Sequence, residues 1–325
     1  MNTKNHIIML LEENRNRHIS GESIAKQLGI SRNAVWKAVR ELSNIGYKIN
    51  AVTNKGYQLD ESCDIISSAG ISPHLSDKNL VDNIFVYPNL DSTNITAKEM
   101  AVAGAEHGTI VIADSQNAGK GRYNRPFFSP PHSGLYMSFV LKPEKLPFNT
   151  PTLVTALAAV VVCEAIEAIS DKVAQIKWVN DIFIDGRKVC GISAEAVSDF
   201  ESGSTQWIVV GIGINFRTKQ TDFPAEIREI VTSVFPDGKP ATTRNHLAAE
   251  VANRLTNCEY EQSELLDHYR RRLFMLGQRV LVAASEPYEA VALDIDEIGR
   301  LIIRKDDGEI VSLNSGEISA KPIVN

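Results

Sequence analysis

The spacing of apolar residues changes twice along this chain, and each change predicts a different kind of domain. Helical spacing dominates up to Gly46, strands and helices alternate over 84–270, and only short strands fit from residue 278 onward. A chain of 325 residues is long enough for two or three domains. We therefore predict an α+β multidomain protein divided at 1–62, 63–82 (a polar linker), 83–276 and 277–325.

The first domain carries the pattern of a helix-turn-helix. Ser20 and Ser31 are predicted N-caps of two successive helices, and Gly29 ends the first of them. Two strands are predicted at 47–52 and 57–59, around a polar turn. Helices followed by such a hairpin predict a winged helix-turn-helix, a DNA-binding domain.

The charge of this head is opposite to that of the rest of the chain. Residues 1–60 contain nine Lys or Arg and five acidic residues, a net charge of +4, whereas the remainder carries −10. A localised positive region is the electrostatic footprint of a DNA-binding surface. An ordinary helical hairpin with a chance asymmetry of charge is the alternative. DNA contacts are expected from Ser31, Arg32, Asn33, Lys37, Arg40 and, at the tip of the wing, Lys55.

The central domain is predicted to contain a mixed sheet. The turn Asp185-Gly186 joins two strands so closely that they must pair antiparallel. The apolar stretch 153–169 includes Glu164 and Glu167, which favours a buried helix over a membrane span. Strands are predicted at 84–87, 109–114, 135–141, 174–178, 182–184, 189–197 and 207–216, and helices at 94–103, 152–169, 243–257 and 263–276. Strands at 280–283, 288–294, 301–304 and 309–314 predict a small C-terminal β-barrel.

The cysteines and the first twenty residues indicate in which cellular compartment the protein is expected. The four cysteines form no C-x-x-C pair, so that neither a zinc site nor a disulfide framework is predicted. Charged residues interrupt the beginning of the chain, so that no signal peptide is predicted. We expect a cytoplasmic protein without a membrane partner.

Four segments of the central domain have the composition of ligand sites. The first lies at the start of a predicted helix, and the second forms a loop. Residues 91–94 place hydroxyls and an amide at a predicted helix N-terminus, where they bind a polar ligand group or cap the helix. Residues 116–125 combine two glycines with Lys120, Arg122 and Arg125. A phosphate or carboxylate would order such a basic loop, and a solvated surface loop is the alternative.

The other two segments lie on predicted strands. Residues 177–181 and 187–191 carry Lys177 and Lys188, and a lysine on a rigid strand holds a positive charge against a ligand anion. The solubility of a hairpin would equally explain Lys188. Alternate glycines in 210–215 leave one face of a strand open to a flat apolar ligand or another backbone.

The order and combination of these segments resemble the biotin–protein ligase family, and the whole chain is similar to its bifunctional bacterial members that also repress biotin genes. The resemblance implies a winged head, a mixed-sheet ligase domain and a small SH3-like C-terminal β-barrel, in which 315–319 match a late motif. Lys120, Asn124, Phe127 and Val179 stand where many members have Arg, Gly, Trp and Pro. Lysine in place of arginine keeps the charge but loses the bidentate guanidinium.

The resemblance also implies the ligands of particular residues. Catalytic roles are expected for Lys120, Arg122 and Lys188. Biotin and its adenylate are expected to contact Ser92, Thr93, Asn94, Gln116, Lys120, Gly121, Arg122, Lys188, Gly191, Gly211 and Gly213. ATP is expected to contact Arg122, Arg125, Lys177, Asn180 and Asn215. Mg²⁺ is expected to arrive with ATP, and no protein ligand is assigned to it.

The activity that the resemblance implies has two steps. ATP and biotin give biotinyl-AMP, and biotin then passes to a lysine in the biotin carrier domain of acetyl-CoA carboxylase or a similar carboxylase. Biotinyl-AMP is also the expected corepressor for operator DNA of biotin genes. It would order 117–125 and promote a homodimer, with the strand around 207–216 available for pairing edge to edge.

Three alternatives stay open at this point. The chain is a lipoate–protein ligase, which uses similar chemistry; or a repressor whose ligase-like domain only senses a ligand; or a ligase whose head has lost DNA binding. Lys188 and the basic loop favour a working ligase over a sensor.

Overall fold

The computed structural model describes residues 2–148, 150–198, 204–258, 260–284, 286–314 and 320–322. The predicted late motif at 315–319 lies outside the described residues. Within them, the elements follow the predicted order: a helical head, a central mixed sheet covered by helices, and a small C-terminal sheet.

Three helices and a β-hairpin form the head. The side chains of Ser20 and Ser31 accept hydrogen bonds from the backbone amides of Ser23 and Ala34, so both predicted N-caps are confirmed. Gly29 follows the second helix with a φ of 65°. The elements are α1 (Thr3–Glu13), α2 (Gly21–Leu28), α3 (Arg32–Asn44), β1 (Ile49–Val52) and β2 (Gly56–Leu59), and the two strands pair antiparallel.

The segment predicted as a polar linker is packed against the central domain. It folds into α4 (Ser68–Ile71) and two 3-10 helices, Ser72–His74 and Lys78–Asn83. Gly70 lies so close to the side chain of Asn245 that a Cβ atom would overlap it. The helices are too short to show a 3.6-residue periodicity, and the sequence alone therefore indicates a linker.

A seven-stranded mixed sheet forms the central domain, as predicted. Its strands are β3 (Ile84–Tyr87), β4 (Thr109–Ala113), β5 (Gly134–Leu141), β6 (Gln175–Lys177), β7 (Asp181–Ile184), β8 (Arg187–Ser198) and β9 (Thr205–Asn215). The order is β3-β4-β5-β9-β8-β7-β6, in which β3 and β4 are parallel and the other neighbours antiparallel. The helices are α5 (Thr93–Val102), α6 (Pro151–Ile169), α7 (Arg244–Thr256) and α8 (Gln262–Arg272).

The long apolar helix lies inside the central domain. Among the described residues, α6 is the one helix long and apolar enough to cross a membrane, but 78% of its apolar window is buried in the protein. It packs against α7, α8 and β8. The predicted buried helix is therefore present, and its apolar surface forms part of the main core.

Two predictions about the central elements are wrong. The strand around 207–216 cannot pair edge to edge with a second copy, because β9 is hydrogen-bonded to β5 on one side and to β8 on the other. The helix predicted to reach residue 276 ends at Arg272, because Leu273 is extended and pairs with Ile176.

The C-terminal region is a five-stranded antiparallel sheet that contacts the central domain. Its strands are β10 (Arg279–Val282), β11 (Tyr288–Ile295), β12 (Leu301–Lys305), β13 (Ile310–Leu313) and β14 (Ala320–Pro322), in the order β13-β12-β11-β10-β14. The indole nitrogen of Trp178 donates a hydrogen bond to the Gly299 carbonyl at 3.0 Å. Trp178 belongs to one of the predicted site segments, so this hydrogen bond joins the C-terminal sheet to the predicted site.

A buried arginine joins the packed linker to the central sheet. Arg244, only 1% exposed, donates from its backbone amide and its Nε to the two carboxylate oxygens of Asp64, at 2.8 and 2.9 Å. Its Nη1 donates to Asp114 Oδ1 at 2.7 Å and to the Gly134 carbonyl at 3.0 Å. Asp114 directly follows β4 and precedes Gln116 by two residues. One side chain thus connects the linker to a strand that leads into the predicted site.

Candidate active site

The four predicted site segments meet in one pocket. They lie on the N-terminus of α5, the loop after β4, the β6–β7 turn with the β7–β8 hairpin, and β9, which the sheet order brings together. The pocket has a volume of about 150 Å³ and lies beside a larger depression of about 600 Å³ that shares the basic loop. The predicted residues that line the pocket are Ser92, Thr93, Asn94, Gln116, Lys120, Gly121, Arg122, Arg125, Lys177, Asn180, Lys188, Gly191, Gly211 and Gly213.

Asn215 is the predicted site residue that the structure places elsewhere. It is 6% exposed, and its side-chain amide donates a hydrogen bond to the carbonyl of Thr232 at 3.0 Å. The residue ends β9, and its side chain fixes the loop that follows rather than lining the pocket. Its expected contact with ATP is therefore not supported by the geometry.

Hydroxyl and amide groups form one wall of the pocket. The backbone amide of Thr93 donates to Gln116 Oε1 at 2.8 Å, and Gln116 Nε2 donates to Ser129 Oγ at 3.0 Å. Ser92 occupies the N-cap position of α5, yet its side chain makes no capping hydrogen bond. Its hydroxyl belongs to the pocket wall instead, which favours ligand binding over capping for this segment.

Asn94, in the first turn of α5, connects this wall to the strands β8 and β5. Its Nδ2 donates to Ser193 Oγ at 3.0 Å, and its Oδ1 lies 2.6 Å from the hydroxyl of Ser138. A Cβ atom on Gly211 would overlap the Asn94 side chain. Gly211 is therefore needed for the close approach of α5 to β9, and the Asn94 side chain fills the space where a side chain at position 211 would lie.

The aromatic ring of Phe127 occupies the space above Gly213. A Cβ atom on Gly213 would lie 2.6 Å from the Phe127 ring, and one on Gly191 would lie 3.4 Å from it. Both glycines line the pocket, so the predicted opening beside this face of β9 stays a prediction, and Phe127 and Asn94 occupy part of the space next to them. The glycines admit these side chains, which in turn shape the pocket.

The basic loop folds back on itself at the mouth of the pocket. The Gly121 amide donates to the Arg125 carbonyl at 2.9 Å, and Tyr123 and Asn124 have positive φ angles of 57° and 56°. Arg122 donates to Asn180 Oδ1 at 3.4 Å and lies 5.3 Å from the centre of the Tyr123 ring. Asn124, found where many family members have Gly, thus adopts the left-handed backbone that favours Gly or Asn.

Positive charge dominates the pocket. Lys188 Nζ lies 2.7 Å from Asp181 Oδ1, and its side chain is 30% exposed. Asp181 is the one carboxylate among the described residues that line the pocket, whereas five are cationic. An anionic ligand would offset this excess of charge. The five cationic residues are Lys120, Arg122, Arg125, Lys177 and Lys188.

The strand end that carries Asn180 is held rigidly. Its Nδ2 donates to the Ile192 carbonyl at 2.6 Å. The phenol of Tyr269 in α8 donates to the Val179 carbonyl at 2.7 Å. Complete burial raises the pKa of this phenol, so it stays protonated and remains a donor. Asn180 is thereby fixed at the position where Arg122 reaches it.

Several pocket residues were not predicted as ligand contacts. Sequence motifs identify polar and glycine residues, but the apolar walls depend on which strand neighbours are brought together by the sheet. Asp181 is the last residue of the identified segment 177–181, but no ligand contact was predicted for it. The additional lining residues are Tyr123, Pro126, Phe127, Trp178, Val179, Asp181, Ile192, Ser193 and Ile212.

The described residues do not form a resident metal site. In the described part of the chain, no group of three or more His, Cys, Asp or Glu side chains is arranged to hold a metal ion. The pocket does offer the Asp181 carboxylate. Mg²⁺ is commonly bound by one or two carboxylates together with substrate phosphates, so that this donor set fits an ion that arrives with a nucleotide.

The predicted DNA contacts lie on the surface of the head. Ser31, Arg32, Asn33, Lys37 and Arg40 are all exposed on and just before α3. Lys55 is exposed in the turn between β1 and β2. Buried residues on the opposite face of α3 pack into the core of the head, so that the polar face remains available to a partner.

Comparison with known families assigns all three regions. Residues 3–58 match an HTH domain, residues 86–215 match the Biotin/lipoate A/B protein ligase family, and residues 275–320 match the Biotin protein ligase C terminal domain. The central match alone includes both biotin and lipoate enzymes. The match to the C-terminal domain favours biotin.

Individual relatives agree along nearly the whole chain. The bifunctional ligase/repressor BirA of Bacillus subtilis is 38% identical over 93% of this chain and 94% of its own length. The protein of the same description from Escherichia coli is 28% identical over 93% and 92%. The biotin protein ligase from Aquifex aeolicus in complex with biotin and ATP superimposes with a TM-score of 0.64 at 26% identity, covering 74% of this chain and 99% of the other. The chain belongs to the family of the bifunctional ligase/repressor BirA.

Proposed function

We propose that the pocket binds biotin and ATP, joins them as biotinyl-AMP, and transfers biotin to a lysine in the carrier domain of a carboxylase. The observation that carries this proposal is the composition of the pocket, in which five cations and one carboxylate face a wall of hydroxyl and amide groups. Neutral donors and acceptors suit the ureido head of biotin. The cations suit the carboxylate of biotin and the phosphates of ATP.

In the first step, an oxygen of the biotin carboxylate attacks the α-phosphorus of ATP. The bond from that phosphorus to the bridging oxygen of the β-phosphate breaks, and pyrophosphate leaves. A carboxylate is already a nucleophile, so the protein supplies no general base. Its contribution is to bring anions together, and Lys120, Arg122 and Lys188 stabilise the negative charge that develops at phosphorus.

In the second step, the amine of the carrier lysine attacks the carbonyl carbon of the mixed anhydride. An amide bond forms, AMP leaves with the electrons of the broken carbon–oxygen bond, and the attacking amine loses a proton. Mg²⁺ arriving with the nucleotide would have Asp181 as the available protein carboxylate and would neutralise part of the phosphate charge. Arg122, fixed by Asn180, orients the phosphate.

The first experiment measures the intact mass of a purified biotin carrier domain after incubation with the protein, ATP, Mg²⁺ and biotin. We expect a gain of one biotinyl group, and at least a hundredfold slower gain with Lys188→Ala or Arg122→Ala. Lys172→Ala is the matched control, because Lys172 pairs with exposed Asp185 outside the pocket.

Other outcomes separate the alternatives. A gain with lipoate and none with biotin would identify a lipoate ligase. No gain with a carrier that another ligase modifies would leave a ligand-sensing repressor. Equal rates for wild type and both pocket variants would overturn the assignment of the site.

We also infer that the head represses biotin genes when biotinyl-AMP is bound. The exposed cationic face of α3 supports DNA contacts by Ser31, Arg32, Asn33, Lys37 and Arg40, and the β1–β2 hairpin would act as a wing with Lys55 at its tip. Binding of the adenylate orders 117–125 and favours a homodimer. We propose domains at 1–62, 83–276 and 277–325, the last an SH3-like barrel.

A further inference from the structure

One exposed aromatic side chain on the head is not explained by packing. The chain has three tryptophans. Trp178 and Trp207 are 4% and 8% exposed, whereas Trp36 is 51% exposed. An isolated exposed apolar residue is common on protein surfaces. Trp36, however, lies in the middle of α3 among the predicted DNA contacts, which indicates that its exposed ring contacts the same partner.

Helix geometry places Trp36 on the cationic face of α3. It follows Arg32 by four residues and precedes Arg40 by four, so the three side chains lie one above another. The guanidinium carbon of Arg40 is 5.5 Å from the centre of the Trp36 ring, a cation–π contact. The opposite face is the buried one, with Val35, Ala38, Val39 and Leu42 in the core.

The charge of the surroundings identifies the partner. Arg32, Lys37 and Arg40 are exposed around the indole, and residues 1–60 carry a net charge of +4. A helix with such a face enters the major groove of duplex DNA. In that groove the apolar group on a base edge is the 5-methyl group of thymine. A flat indole held by Arg40 matches this group in polarity.

We propose that Trp36 reads sequence by packing against the 5-methyl group of a thymine in the operator. This inference rests on the proposed DNA binding and adds a specificity-determining residue to it. The Arg40 guanidinium holds the indole in place and simultaneously faces the phosphates or a base edge. Polar contacts of α3 set the register, and Trp36 distinguishes thymine from cytosine, which lacks the methyl group.

The test uses a duplex that the wild-type protein selects from a randomised library in the presence of biotinyl-AMP. Each thymine of the selected site is replaced in turn by uracil, which removes the methyl group alone. We expect one replacement to weaken wild-type binding about fourfold, the effect of burying one methyl group. Trp36→Ala should bind the thymine duplex at least fivefold more weakly and should not distinguish uracil from thymine at that position.

Control variants separate this role from a structural one. Ile45, 64% exposed where α3 ends, lies outside the stacked face, and Ile45→Ala should keep the full discrimination of uracil. Trp36→Phe retains an apolar ring and should keep part of it. Circular dichroism of each variant checks that the head is folded.

The outcomes are distinguishable. If the wild type selects no sequence, DNA binding itself fails and the inference fails with it. If the wild type binds but Trp36→Ala responds to every uracil as the wild type does, the role of Trp36 is overturned while DNA binding stands. If the fluorescence of Trp36, taken as the difference between the wild type and Trp36→Phe because Trp178 lines the pocket, shifts to the blue with biotinyl-AMP alone and not further with DNA, Trp36 is covered by a second copy of the chain instead, which also overturns the inference.

Discussion

Gly213 leaves room for the Phe127 ring, and this ring forms part of the pocket wall. The Phe127 ring lies where a side chain at this position would be, with a Cβ atom only 2.6 Å from the ring. Phe127 in turn ends the basic loop, and its amide donates to the Gly119 carbonyl at 2.9 Å. The position of the basic loop therefore depends on Gly213 having no Cβ atom, because such an atom on β9 would overlap the Phe127 ring.

Gly213→Ala should displace this ring and weaken biotin binding. We expect a loss of about 1–3 kcal/mol in unfolding free energy, the usual cost of overpacking. Gly121→Ala is the matched control for stability, because its Cβ atom would meet no atom closer than the Arg125 carbonyl oxygen at 3.8 Å. Urea denaturation compares the two variants, and calorimetry compares the biotin affinity of Gly213→Ala with that of the wild type. Equal stability of the two variants, together with unchanged biotin affinity of Gly213→Ala, would contradict this account of Gly213.

His74 predicts a dependence of stability on pH. Burial, assisted by the neighbouring His246, Arg15 and Lys78, lowers the pKa of His74 from 6.5 to about 4. The unfolded chain therefore binds a proton that the folded chain does not between these values, and stability is lost as pH falls from 6.5 towards 4. We expect roughly 1–2 kcal/mol, because water reaches part of the ring and screens its charge.

The check is urea denaturation of the wild type and His74→Phe at pH 7.5 and 4.5. Phenylalanine cannot titrate but can keep the stacking on His246, whose ring centre is 4.7 Å away. The variant should lose less stability than the wild type over this range. Parallel losses would show that His74 does not contribute to the acid sensitivity.

At the residue scale, the sequence predicted polar and glycine site residues better than apolar ones. Residues with charge, hydroxyls or special backbone freedom were found, because a motif records them directly. Asn215 was misplaced, since a motif does not record which side of a strand end a side chain faces. Phe127 and Trp36 were missed as functional residues, because an apolar side chain is most often a core residue and only its exposure or neighbours indicate otherwise.

At the scale of elements, the N-terminus of α7 fixes the linker and the sheet together. Arg244 donates to both oxygens of Asp64, and Asn245 donates to Glu12 of α1 at 3.2 Å and to the Ile65 carbonyl at 2.9 Å. These residues are about 180 positions apart in sequence from the linker. No local pattern records such a contact, which is why 63–82 was predicted as a linker.

Removing one partner of this buried pair should be costly. Asp64→Asn leaves the guanidinium of Arg244 with less compensation, and we expect a loss of about 3 kcal/mol in unfolding free energy. Asp306→Asn is the matched control, since Asp306 pairs with Arg279 on the surface at 3.1 Å, and its loss of stability should be much smaller because solvent screens this pair. A similar small loss for both variants in urea denaturation would contradict the importance of this junction.

Elements with strong periodicity were predicted well, and their pairing was not. The long helix α6 and the strands of the central sheet have clear patterns, so their existence and approximate bounds agree with the structure. The interior place of β9 depends on which strands flank it, β5 and β8. Sequence periodicity reports burial of a strand but not its neighbours, and the predicted edge pairing failed for that reason.

At the scale of the whole molecule, the packed linker and the C-terminal sheet both contact segments that lead to the pocket. The packed linker reaches Asp114, two residues before Gln116, through Arg244. The C-terminal sheet reaches the segment with Asn180 through Trp178 and Gly299. The pocket is therefore connected by hydrogen bonds to both neighbouring regions, and coupling between distant sites would additionally need an element with two discrete arrangements.

The proposed coupling between pocket and dimer yields the last prediction. The basic loop carries three cations at the mouth of the pocket, and a bound adenylate would order it. We expect biotinyl-AMP to tighten the dimer by roughly 5- to 150-fold, the usual range of such coupling. Sedimentation velocity over a range of concentrations measures the constant with and without the ligand.

Two variants locate this effect. Arg122→Ala removes the loop cation that reaches Asn180 and should abolish most of the shift. Lys55→Ala, in the hairpin turn of the head, should leave the shift intact while weakening DNA binding. An unchanged dimer constant for the wild type with saturating biotinyl-AMP would refute the coupling. Because β9 lies inside the sheet, any dimer that forms must use a different surface, and cross-linking from the edge strands β3 and β6 would identify whether either provides it.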